Sequence, residues 1–112
     1  MERIAEELAD LADADLDRIA ALMDALTGVL PDGFAAWVRH LAECERDARS
    51  GHVYALRPPG EAIADDDLPA CIVAAARVRD ASIDVAVATL LQAVAEVLSD
   101  WQALRQPPTG CA

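Results

Sequence analysis

Seven apolar residues near the C-terminus, Ile83, Val87, Leu90, Val94, Val97, Trp101 and Leu104, follow one another at alternating steps of four and three. That spacing keeps them on one side of an α-helix for about six turns. Leu91 and Leu98 widen the stripe, and Ala86, Ala88, Ala93, Ala95 and Ala103 leave little of the circumference charged. An exposed coiled coil carries charges beside its seam, so a helix this apolar all round predicts burial by several neighbours. Two arrangements satisfy it. Either the helix forms the centre of a bundle, or it is shared across a homodimer, with Trp101, Leu91 and Leu98 as the candidate apolar interface.

The rest of the chain reads as shorter helices. Hydrophobic residues make up 54% and aromatics only 4%, with Ala, Val and Leu dominant, a mix that favours alanine-packed helices over a sandwich or barrel. Ile4, Leu8 and Leu11 form one stripe; Leu16, Ile19, Met23 and Leu26 form another, shifted by one residue. The shift means either a break near Ala12–Asp15 or a twist between two faces of one long helix. A break is favoured, because Asp13, Asp15 and Asp17 then sit where a helix dipole welcomes anions. Thr27-Gly28 ends this helix. After the turn Pro31-Asp32-Gly33, with Asp32 as a candidate cap, Phe34, Trp37, Val38, Leu41, Cys44 and Ala48 recur at helical spacing, and Ser50-Gly51 stops them. On the polar face of that helix Glu43 and Arg46 make an attractive pair.

His52 to Leu56 reads as extended, Arg57-Pro58-Pro59-Gly60 as a type II turn, and Glu61 to Ala64 as a returning strand. Asp66 or Asp67 caps a further helix with Pro69 in its first turn and Cys71, Ile72, Ala75 and Val78 as its apolar face. Asp80-Ala81-Ser82 offers a break, with Ser82 as the N-cap of the ladder helix; without that break one helix runs from about 68 to 105. The fold expectation is all-α: a compact bundle of four or five helices around a long C-terminal helix, with an irregular or hairpin segment at 51–64. A length of 112 residues predicts one domain, taken as 1–105, and a flexible tail at 106–112.

The net charge is −11, and it is unevenly placed. Residues 1–31 set eight acids against Arg3 and Arg18, and residues 61–67 hold Glu61, Asp65, Asp66 and Asp67 with no base. Like charge repels such a chain from DNA, RNA and anionic membrane. A basic surface of another protein is its natural partner. Within the N-terminal region Glu6, Asp10, Asp13, Asp17 and Asp24 are spaced four, three, four and seven. On a straight helix these would line one side of a rod, at roughly 6 Å per step. A break at 12–15 would bend the row.

No motif for catalysis stands out. Ser50, Ser82 and Ser99 lie in no nucleophile elbow. Cys71 sits beside Ile72 and Val73, as an inert buried thiol does. His40 and Cys44, four apart, can face one metal, but zinc takes three or four ligands and only His52 remains. Asp65-Asp66-Asp67 lacks the alternating ligands and glycine of a calcium loop. Neither metal nor cofactor is expected. Cys44, Cys71 and Cys111 form no disulfide framework, the N-terminus shows no signal peptide, and Val85 to Ala95 is too short to span a bilayer. A cytoplasmic protein with reduced thiols is the consequence.

The functional expectation is a non-catalytic acidic module that docks on a basic protein surface through Glu6, Asp10, Asp13, Asp17 and Asp24, with Asp65, Asp66 and Asp67 as a second patch. In its strongest form it is a nucleic-acid mimic that inhibits a CRISPR or restriction system, an analogy from charge and size alone. The alternative is a structural or adaptor subunit, a homodimer or part of a heteromeric bundle, that associates through its apolar C-terminal helix.

Overall fold

The computed structural model describes residues 1–52 and 55–105. Six α-helices follow in order: α1 Glu2–Asp10, α2 Asp13–Leu26, α3 Phe34–Arg49, α4 Pro59–Ala62, α5 Leu68–Ala81 and α6 Val85–Arg105. The described residues contain no strand, and the architecture is an all-α bundle. The expected tail at 106–112 lies outside the described residues, as do Val53, Tyr54 and Cys111.

Two helix pairs make the body. α2 lies along α3, and α5 along α6. α1 straps them together, contacting both α6 and α3 through the buried Ile4 and Leu8. The centre of the ladder behaves as its period requires: Val87, Leu90, Leu91, Val94, Val97 and Leu98 are all buried. Its ends do not. Ile83 precedes the helix and is fully exposed, and Leu104 projects into solvent from the last turn. Leu91 and Leu98 are completely enclosed within this one chain, so neither is a surface for association. That corrects the expected interface, whose third member, Trp101, is half-buried.

The chain breaks between α1 and α2, as the shifted stripes predict. The amide of Leu11 donates to Leu8, and the Asp15 carboxylate accepts the Ala12 N–H at 3.1 Å. Helix α3 closes with the two hydrogen bonds of a Schellman motif: Gly51 N–H to Ala48 and His52 N–H to Asp47, with Gly51 at φ 97°.

Four local expectations are overturned. Asp32 does not cap α3; Gly33 holds the N-cap position at φ 82°. A Cβ at Gly33 would stand 2.3 Å from the Ala62 carbonyl oxygen, so close backbone approach selects glycine here. Gly60 lies inside α4 and does not have the positive φ a type II turn needs, so the return over Glu61 to Ala64 begins as a helical turn and the described residues of 52–64 include no strand. At α6 the cap is Asp84, whose carboxylate accepts the Ala86 N–H at 3.0 Å; Ser82 instead accepts from the Asp84 N–H. Glu43 pairs with Arg39, not with Arg46. Asp67 does occupy the N-cap position of α5, without a side-chain hydrogen bond.

Candidate functional site: an open apolar groove

The acidic row is resolved into two sets. Glu6 and Asp10 stand on α1, exposed and without an ion pair among the described residues. Asp13, Asp17 and Asp24 stand on α2 and face arginines of α3. Arg49 Nη1 reaches Asp13 at 2.8 Å, Arg46 bridges Asp13 at 2.8 Å and Asp17 at 3.0 Å, and Arg39 meets Asp24. Residue numbers fall along one helix as they rise along the other, the register of an antiparallel pair. The Arg49 hydrogen bond, with help from Arg46, holds the Asp13 carboxyl below its ordinary pKa. The second acidic patch forms a 3₁₀ turn over Asp65–Asp67, where Arg105 pairs with Asp65 at 3.1 Å. Three of the five row carboxylates thus serve the molecule's own α2–α3 seam.

Candidate chemistry elsewhere is quiet. Cys44 Sγ lies 3.4 Å from His40 Nε2. Burial, then the charges of Asp47 and Glu43, push the Cys44 thiol up, which keeps it protonated and poor as a nucleophile. Burial pushes the Cys71 thiol up to about 11. Among the described residues no three His, Cys, Asp or Glu converge as metal ligands. No described helix is long and apolar enough to cross a membrane.

The feature the ladder did not announce is a groove of about 1050 Å³ between α2 and α5. These two helices do not pack against one another as α2 does on α3 or α5 on α6. Leu22 and Leu26 of α2 form one wall; Val73, Ala74 and Val78 of α5 form the other; Val87 of α6 lies at the base. Val29, 78% exposed, and the fully exposed Ile83 stand at its margins. The cause is legible in the helices. In α2, Leu16, Ile19 and Met23 turn into the core, and Leu22 and Leu26 spread the apolar arc beyond what α3 covers. In α5, Cys71 and Ala75 turn into the core, while Ala70, Val73, Arg77 and Ala81 recur at steps of three and four on a second face. That second stripe was present in the sequence but diluted by alanines.

Charged groups at the groove are few. Arg18 Nε binds Asp84 Oδ2 at 2.9 Å and also pairs with Asp15. The Arg18 hydrogen bond, aided by the Ala86 amide, lowers the Asp84 pKa. Arg77 makes no ion pair among the described residues.

No protein family, characterised protein or solved structure matches this chain in comparison.

Proposed function

We propose that this protein is a non-catalytic binding subunit that holds an amphipathic helix of a partner protein in the groove between α2 and α5. The observation that carries this is the groove itself. Two helices of 14 residues each flank an apolar slot without closing it, and large apolar side chains stay exposed at its margin. Exposed apolar side chains gathered along one slot, rather than scattered singly over the surface, mark interaction sites. Helices of that length run about 21 Å, so a partner helix of roughly four turns fills the slot as a missing member of the bundle. The setting is cytoplasmic, in keeping with Cys44 and Cys71, which have no disulfide partner among the described residues.

Docking of a cationic partner on the acidic face, nucleic-acid mimicry included, is the second reading. It draws on Glu6, Asp10 and Asp66, which are exposed and without ion pairs among the described residues. Asp13, Asp17, Asp24 and Asp65 support it less, because each already has an arginine.

Affinity capture from the native cell extract separates the two, run with wild type, Val73→Glu and the double variant Glu6→Arg/Asp10→Arg. Circular dichroism establishes that each variant is folded. A captured protein lost with Val73→Glu and retained with the double variant is the expected result. Loss with the double variant alone transfers the function to the acidic face.

A further inference from the structure

We infer that the helix taken up by the groove carries acidic side chains along the edge that lies against α5, and that Arg77 selects for them. The inference rests on the groove reading and specifies the partner's chemistry. The chain has an excess of eleven negative charges, yet the residues lining the groove include two arginines and a single acid. Three charged residues line it: Arg18, Arg77 and Asp84. Arg18 and Asp84 satisfy one another. Arg77 is exposed and makes no ion pair among the described residues, in a protein with more than twice as many acids as arginines. Its place on the stripe Ala70, Val73, Arg77, Ala81 sets it within the α5 wall, where an arginine stem lies along apolar surface and presents its guanidinium at the rim.

A partner carboxylate there gains a charge-assisted, two-pronged hydrogen bond at the edge of an apolar contact, where water is thinned out. A partner lysine at the same place meets a like charge, which disfavours it.

Two synthetic amphipathic peptides of about five turns test this, as that length spans the groove with margin. They share one leucine stripe; one has Glu along its flanks, the other Lys. Binding is read by fluorescence anisotropy at moderate salt against wild type, Arg77→Glu and Val73→Glu. The Glu peptide binds wild type at least about tenfold tighter than the Lys peptide. Arg77→Glu reverses that order, and Val73→Glu weakens both peptides. Equal binding of the two, unmoved by Arg77→Glu, overturns the charge selection and leaves the groove reading standing. Binding of neither peptide overturns the groove reading itself. So does light scattering that shows wild type as a dimer and Val73→Glu as a monomer.

Discussion

The carboxylate of Asp13 and the guanidinium of Arg49 meet at 2.8 Å across the α2–α3 seam. The same Arg49 side chain donates to the carbonyl oxygens of Leu8 at 3.0 Å and Leu11 at 2.6 Å. One residue therefore caps the C-terminus of α1, anchors the start of α2 and belongs to α3. Surface ion pairs taken singly contribute about 0–1 kcal/mol. Arg49 does more because it also donates to carbonyl oxygens at the C-terminus of α1, where a helix end leaves acceptors short of donors.

Replacing Arg49 with Ala is expected to destabilise the fold by about 1.5–3 kcal/mol, the range for hydrogen bonds to a charged group. Urea unfolding followed by circular dichroism measures it. Arg49→Lys recovers only part of the loss, because an ammonium lacks the planar fork that serves several acceptors at once. Amide exchange in α1 accelerates in both variants, more in the Ala form.

Acid sensitivity follows from Asp13 and Asp84. Both carboxyls are held below the ordinary value of 3.8, by hydrogen bonds from Arg49 and Arg18 respectively. A carboxyl whose folded pKa is depressed adds stability above its unfolded pKa and loses it as pH falls through the folded value. The urea midpoint is therefore expected to hold steady through neutral and mildly acidic pH and to drop once pH falls below about 3.8. Asp84→Asn retains a competent N-cap and removes the charge, so its acid limb is flatter than that of wild type. An unchanged acid limb would show that the Arg18 pair contributes nothing.

Gly33 and Gly28 form an internal control. Gly33 has φ 82° and no room for a Cβ beside the Ala62 carbonyl, whereas Gly28 has open space and no positive φ. Gly33→Ala is expected to cost roughly 1–3 kcal/mol from backbone strain alone. Gly28→Ala is expected to be neutral or stabilising by up to about 1 kcal/mol, through the entropy of the unfolded chain. Thermal unfolding of the two variants side by side gives opposite signs.

The thiols offer a chemical readout. With its pKa at about 11, the Cys71 thiol is ionised in roughly one molecule in a thousand at pH 8. In a Cys111→Ser background, Cys71 and Cys44 are expected to react with a disulfide reagent at least about 100-fold more slowly than free cysteine. Both become reactive in urea. Rapid reaction of Cys44 in the folded protein would mean that His40 activates it despite its burial.

The sequence alone determined the five longer helices and their central packing, but not α4, whose residues it reads as a turn and a strand. Periods of three and four identified the buried runs of α3 and α6, and the one-residue slip between Leu11 and Leu16 located the break that became Ala12. Those signals are local, because a helix displays its buried face in its own spacing. Tertiary structure decided the rest. Nothing in the spacing of Asp13, Asp17 and Asp24 says that arginines some 15 to 36 residues away would meet them across an antiparallel seam. Gly60 lies against Trp101, where a Cβ would stand 2.5 Å from the ring, a contact that no local turn preference encodes. The groove is likewise a property of two helices failing to meet. Apolar residues on a second helix face mark either core or open surface, and only the placement of neighbouring helices settles which, since burial depends on what packs against a residue rather than on the residue itself.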